Sequence, residues 1–327
     1  MDNSTVNAII VAFGLLFVIA NGLSLGMHVK VGETLAHFVR NWKFALLTLL
    51  INFVVLPSLI IGFAALVDIP ADIKVGFCIV ALAAGAPFAP LLTRLAKADA
   101  AMSTTLFIVL IAGTLIAVPL GLPPAVAALV PSIPPVHVWD VAWPLLLFLA
   151  APLALGCLFR LRYPDVAERF AKPLQIIAIT ALLLYVNVFI AAYLDLFGQA
   201  WGSGAYLAAI GVPVLGIILG SLIRLRDRGA RQAAVITTAQ RSVGGAIIVT
   251  IFTYPQPLAN VSVTIINTIG IIVLLILSLE WRRAATRAPQ RSSDSSTPHA
   301  HRSQGSTSSP DGATHSRSPG SATQSND

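Results

Sequence analysis

The chain has 327 residues, 56% of them hydrophobic and 11% charged, with a formal net charge of +7 and a mean hydropathy of +0.83. A soluble domain carries about a quarter charged residues, so this composition excludes a globular protein in water and predicts repeated bilayer spans, each of about 20 apolar residues. The positive charge is placed beside apolar stretches, where it is the ordinary topology signal, and no nucleic-acid partner is expected.

Nine apolar segments are predicted, at residues 5–27, 44–67, 75–95, 100–120, 141–159, 174–197, 205–223, 233–253 and 258–279. The first has no basic residues ahead of its apolar run and reads as a span rather than a secretory signal. Lys30, Arg40 and Lys43 follow the first segment, and Arg94 and Lys97 the third. Arg160, Arg162, Arg169 and Lys172 follow the fifth, Arg224, Arg226, Arg228 and Arg231 the seventh, and Arg282, Arg283 and Arg287 the ninth. The alternate connections hold only Lys74, beside Asp68 and Asp72, and a long proline-rich loop at 121–140 has no Lys or Arg. Basic residues stay on the cytoplasmic side. The expected placement is the plasma (inner) membrane, with the N-terminus outside and the C-terminus inside.

At Ala288 the composition turns to Ser, Thr, Pro, Gly and Gln. Such a segment buries too little apolar surface to offset its ordering entropy. A transmembrane domain at 1–287 and a disordered cytoplasmic tail at 288–327 are therefore expected. His299, His301 and His315 in that tail read as solvated residues rather than a metal site. Cys78 and Cys157 both fall in apolar stretches, which argues against a disulfide framework and against zinc.

Two segments contain residues that spoil a helix. The third holds Gly85-Ala86-Pro87-Phe88-Ala89-Pro90, and each proline removes a donor and clashes with the preceding turn. The eighth holds Gln240-Arg241-Ser242-Val243-Gly244-Gly245. Breaks are expected at Gly85, Pro87 and Pro90 and at Gly244 and Gly245. Irregular backbone at membrane depth survives only where protein or a wet cavity covers it. The third and eighth segments run in opposite directions, and segments two to four and seven to nine form matching triplets. That pattern predicts an inverted-repeat carrier with a midplane site.

Arg241 is the one Lys or Arg well inside any span, Arg94 standing at the end of the third, and no Asp, Glu or His lies well inside one. A charge at that depth costs at least about 2.5–3.5 kcal/mol on insertion scales, so it needs a partner. Two partners are open: an anionic substrate held by two parallel bonds, or loose carbonyls of the broken helix. Asn52, Thr93, Ser103, Gln240 and Ser242 join Arg241 as the expected polar lining of a substrate site. Ser and Thr in helices often bond their own backbone, which is the competing reading for Thr93, Ser103 and Ser242. Asn267 reads as an interhelical hydrogen bond.

The residues that mark these places resemble the bile acid:sodium symporter family over about residues 21–281. Asn21-Gly-Leu-Ser-Leu-Gly-Met27 is similar to the family's glycine-rich segment, and Asn52-Phe-Val-Val-Leu-Pro57 to its Gln-Phe-x-x-Met-Pro motif. The stretch from Gly85 to Thr93-Arg-Leu-Ala-Lys-Ala-Asp99 resembles its first crossing region, and residues 234–246 resemble the second, Glu-x-x-x-Gln-Asn-Ser. The resemblance implies two discontinuous crossing helices in a core domain beside a panel domain. The family has ten spans; this chain begins where the second begins, which implies nine. It also implies sodium ligands, and here the chain departs. The family's Ser-Asn pair falls on Ala89 and Pro90, its Glu on Ile236, a Thr on Phe107, and the Asn beside Gln240 on Arg241. Ser103 and Gln240 are retained, and Asn52 shortens a Gln. A residual sodium site would rest on Asn52 and Gln240.

The expected function is a secondary carrier for an organic anion, working by alternating access, with the Arg241 guanidinium in place of the sodium charge. Sodium as a coupling ion is the only cofactor weighed. One alternative is a sodium-coupled symporter, and another a metalloid exporter using Cys78, which sits seven residues before Gly85. A non-transporting sensor is a third. An enzyme is not expected: there is no HExxH pair, GxSxG elbow or intramembrane aspartate pair.

Overall fold

The computed structural model describes residues 3–40, 42–202, 204–223 and 227–294. Among them every regular element is helical and none is a strand. Seven helices are long and apolar enough to cross a bilayer: Ser4–His28, Trp42–Leu66, Ala100–Leu129, Val138–Arg162, Pro164–Ala192, Arg228–Phe252 and Pro257–Thr286, with Ala205–Ser221 shorter. The chain is an all-α polytopic membrane protein. Two of the nine expected segments fall outside the seven. One is Ala205–Ser221; the other is two pieces, α5 (Ala71–Leu82) and α6 (Ala89–Leu95).

In chain order, α1 (Asn3–His28) is followed by the amphipathic α2 (Val31–Arg40). Next, α3 (Trp42–Leu50) passes through a π-helical turn at Ile51–Val55 into α4 (Leu56–Leu66). After α5 and α6 come α7 (Ala100–Leu129) and α8 (Val138–Pro144), then a second π-helical turn at Leu145–Ala150 leading into α9 (Ala151–Arg162). Both π turns lie just before a proline, Pro57 and Pro152. The missing N–H leaves a carbonyl of the preceding turn free, and a wider turn absorbs it. Then follow α10 (Pro164–Ala192), the short α11 (Leu194–Gln199), α12 (Ala205–Ser221), α13 (Arg228–Ala239), α14 (Val243–Phe252) and α15 (Pro257–Asp294).

Several expectations are corrected. The loop expected at 121–140 is helical to Leu129, with Pro119, Pro123 and Pro124 inside α7; spanning helices tolerate proline where neighbours re-satisfy the backbone. The sixth segment, expected from 174, starts at Pro164, so Arg169 and Lys172 lie on helix α10. Proline suits the first turn, where its N–H would be unpaired anyway. Gly244 and Gly245, expected in the second break, are the second and third residues of α14. The last helix is described as far as Asp294. The remaining expected tail, with its three histidines, lies outside the described residues.

α1 packs along both α9 and α10. It comes close enough to α9 that a Cβ on Gly26 would lie 2.2 Å from the Leu153 carbonyl oxygen, the close approach small residues allow between membrane helices. α13 packs against α12, α7 and α6, while α5 packs against α4 and α7. The stretch Arg228–Phe252 is the most enclosed, with 89% of its most apolar window buried against 28% for Pro164–Ala192. The interrupted eighth segment is therefore an interior element. α9 and α10 carry exposed Leu155, Leu158, Leu161, Phe170, Leu183 and Leu184, a surface suited to lipid.

Candidate functional site

The two interruptions meet. α5 ends at Leu82, Ala83 is extended, Gly85 has φ +75, and α6 starts at Ala89 with Pro90 in its first turn. A Cβ on Gly85 would sit 2.7 Å from the Ile111 nitrogen of α7, so only glycine fits both the conformation and the space. Thr114 of α7 holds the unwound chain from one hydroxyl. It donates to the Ala84 carbonyl at 2.8 Å and accepts from the Ala84 N–H at 3.0 Å. Opposite, α13 ends at Ala239 and α14 begins at Val243, with only Gln240, Arg241 and Ser242 outside helix. The Ser242 N–H donates to the Ala83 carbonyl at 2.9 Å, and Ser242 Oγ caps α14 by accepting from the Gly245 N–H at 3.3 Å.

A helix leaves its last four carbonyls without intrahelical partners. At α5 the Ala83 N–H takes the Ile79 carbonyl at 2.9 Å. Arg241 takes the next two: Nε donates to Val80 O at 2.9 Å and Nη2 to Ala81 O. Nη1 donates to Asn52 Oδ1 at 3.0 Å. Arg241 is 4% exposed. Three hydrogen bonds from a charged donor, each about 1.5–3 kcal/mol, offset its insertion cost of about 2.5–3.5 kcal/mol. A cation at a helix C-terminus is favoured further by the helix dipole. Of the two partners open to Arg241 from sequence, the carbonyls of the opposite broken helix are the ones it meets here.

The other expected site residues separate into those that join this crossing and those that do not. Asn52, on the first π turn, donates from Nδ2 to Thr48 O at 3.0 Å and reaches Thr238 Oγ1 at 3.5 Å. The neighbouring Thr237 gives its proton to the Ala233 carbonyl at 2.7 Å, so Ser103 Oγ donates to Thr237 Oγ1 at 3.0 Å. Asn52, Ser103, Arg241 and Ser242 thus bind the first π turn, α7 and the end of α5 to α13 and the second break. Thr93 bonds the Ala89 carbonyl of its own helix at 2.8 Å. Gln240 faces α12 and α15 beside Pro213 and Asn267; its Oε1 is buried without a hydrogen-bond partner among the described residues.

None of these six residues lines the cavity that borders the first break. That cavity, of about 330 Å³, lies between α1, α6, α7 and α10. Its walls include Pro87, Pro90, Phe107 and Gln175, with three basic side chains, His28, Arg94 and Lys172. Its size lies in the ordinary range for small-molecule sites. Sequence reasoning missed it because Arg94 and Lys172, taken alone, are topology signals, and His28 belongs to no motif. Only the fold brings α1, α6 and α10 together. A second hollow of about 580 Å³ between α2, α3, α7 and α9 is apolar, with Phe38, Leu49, Ile108 and Leu153 on its walls. Cys78 lines neither and is fully buried in the main apolar core.

The family model described as sodium bile acid symporter family matches residues 13–200. The match takes in the first break and all three basic residues of the cavity, and ends before Arg241. No curated protein matches the chain.

Proposed function

The chain belongs to the sodium bile acid symporter family of membrane transporters, and from that premise we propose that it carries a small organic anion by alternating access without sodium as its coupling ion. The observation that carries the reading is the seat of Arg241. Its guanidinium lies among two helix-end carbonyls and the Asn52 amide oxygen, a donor set of the kind a hard cation takes. A tethered cation there holds the two broken helices together as a bound ion would, and does not leave during the cycle.

The positions at which the family resemblance puts sodium ligands support this. Ala89 and Ile236 are both fully buried and share one apolar cluster with Leu92, Ala239 and Leu274. Pro90 and Phe107 form apolar wall of the basic cavity. Apolar walls with three basic groups suit an amphipathic anion, its acid group held by Arg94 and Lys172 and its apolar part against Pro90 and Phe107. With the N-terminus outside, the cavity opens toward the cytoplasm, and alternating access moves the α1–α9–α10 group against the crossing helices.

Uptake of labelled organic anions into proteoliposomes, with sodium or with choline, tests the proposal. Equal uptake in both salts by the wild type, lost in Arg241→Gln, is the expected result. Uptake that needs sodium rejects it. One observation favours the sodium-coupled alternative: Gln240 Oε1 is a buried acceptor with no protein partner among the described residues, and a sodium-dependent result would assign it to the ion.

A further inference from the structure

His28 is the last residue of α1 and stands on the wall of the basic cavity. Its Nδ1 lies 2.8 Å from the Ser24 carbonyl oxygen. A carbonyl only accepts, so Nδ1 carries a proton, and the neutral ring keeps its lone pair at Nε2. The turn that bears the ring is tied to its neighbours. Ser24 Oγ donates to the Ala171 carbonyl of α10 at 2.8 Å, and Arg160 of α9 donates to the Met27 carbonyl. The charged groups around the ring are Arg94 on α6 and Lys172 on α10, which line the cavity with it. Arg160 is committed to Met27, and Lys30 just beyond the helix is paired with Glu33 at 2.9 Å. No Asp or Glu is among the residues lining the cavity.

Resting on the reading of this cavity as the substrate site, we infer that His28 is a proton-binding site that couples anion binding in the cavity to the uptake of a proton. The fixed charge of Arg241 takes no part in ion coupling, and no carboxylate in the cavity can carry a proton. Among the side chains lining the cavity, the free Nε2 lone pair of His28 is the site that can take up a proton. An anion held by Arg94 and Lys172 within reach of the imidazole can accept a hydrogen bond from Nε2 only once Nε2 carries a proton. Nε2 then takes a proton from the water of the open side, with Nδ1–H still on Ser24. When the anion leaves, Nε2 releases its proton to the same water. By linkage, the affinity for the anion rises as pH falls, by up to about tenfold per pH unit where one proton is taken up per anion.

The experiment is calorimetric titration of the full chain in nanodiscs with taurocholate and two other amphipathic sulfonates. A sulfonate stays ionised, so any proton taken up belongs to the protein. Runs at pH 7.5 and 5.5, each in two buffers of different ionisation enthalpy, count the protons. The expected result is proton uptake on anion binding at pH 7.5, less uptake at pH 5.5, and tighter binding at the lower pH. In His28→Gln the uptake disappears and binding becomes independent of pH while Arg94 and Lys172 still hold the anion; His28→Asn serves if that variant does not fold. Binding to the wild type with no proton uptake and no pH dependence overturns the inference and leaves the cavity reading intact. Undiminished uptake in the folded variant also overturns it. No binding of any sulfonate at either pH overturns the cavity reading and this inference with it.

Discussion

Arg241 and Asn52 stand 189 residues apart in the chain and share a hydrogen bond of 3.0 Å from Nη1 to Oδ1. It ties the second break to the π turn of the second span, while the other two guanidinium contacts tie the same break to the end of α5. One side chain thus joins three elements that the sequence keeps far apart.

The pair is separable by a double-mutant cycle. Arg241→Ala leaves the Val80, Ala81 and Asn52 acceptors unpaired in an apolar interior, and each such group costs about 1–3 kcal/mol. Asn52→Ala removes one acceptor and leaves Arg241 two carbonyls, so it is the milder change. In the Arg241→Ala background Asn52→Ala adds little, giving a coupling of about 0.5–3 kcal/mol. Thermal unfolding in detergent measures it; strict additivity would mean that the bond does not hold the crossing.

The first break depends on backbone fit rather than charge. Gly85→Ala needs a side chain at φ +75, 2.7 Å from the Ile111 nitrogen, and neither the unwound segment nor α7 can give way cheaply. It should fail to reach the folded state in amounts comparable to wild type, by fluorescence-detected gel filtration. Thr114→Val keeps the volume and removes both bonds to Ala84, leaving a buried N–H and C=O unpaired at about 1–3 kcal/mol each. It should fold with a lowered Tm, and Thr114→Ser should recover most of the difference.

The sequence made the spans, the two breaks and the isolated charge legible, because proline, glycine and arginine have strong and local consequences in an apolar helix. The partners of that charge were hidden. Val80 and Ala81 bind Arg241 through carbonyls, and any residue has one. Thr114 is one hydroxyl among several in apolar helices, a type that often bonds its own turn, and nothing local marks it as the holder of Ala84. Gly244 and Gly245 misled because paired glycines weaken a helix in isolation, whereas the Ser242 cap and buried neighbours hold α14 from Val243 onward. His28, Arg94 and Lys172 form one cavity only after α1, α6 and α10 are packed together.

In the cavity, Arg94→Gln and Lys172→Gln each remove a positive charge without changing the core. A charge-assisted bond of about 1.5–3 kcal/mol corresponds to a rise in KM of at least about tenfold, with kcat less affected if the contact is made equally in bound and moving states. The wild-type KM should also rise with ionic strength, because charges in an open cavity are screened. Initial rates in proteoliposomes at low and high potassium chloride read both effects. A KM indifferent to salt and to both substitutions would move the anion site elsewhere.

Ile236 offers the sharpest test of the proposal that Arg241 stands in for sodium. It is packed in an apolar cluster with Ala89 and Leu274, at the position where the family resemblance expects a sodium-binding carboxylate. Ile236→Glu puts an acid where desolvation of the charge costs several kcal/mol unless a counter-ion accompanies it. In choline chloride that variant should unfold well below the wild type. Sodium supplies a counter-ion, and at a hundred times its Kd it returns about 2.7 kcal/mol, so the variant's Tm should climb with sodium concentration. The wild type should unfold at the same temperature in sodium and in choline, because its cation is covalently part of the chain. Ile236→Gln, polar but uncharged, separates the loss of packing from the gain of a sodium ligand and should show no response to sodium. The double variant Ile236→Glu/Arg241→Asn removes the competing guanidinium and should respond more strongly than Ile236→Glu alone. A wild type stabilised by sodium to the same extent as the Glu variant would mean that the ion binds beside Arg241, and that the arginine supports the coupling ion instead of standing in for it.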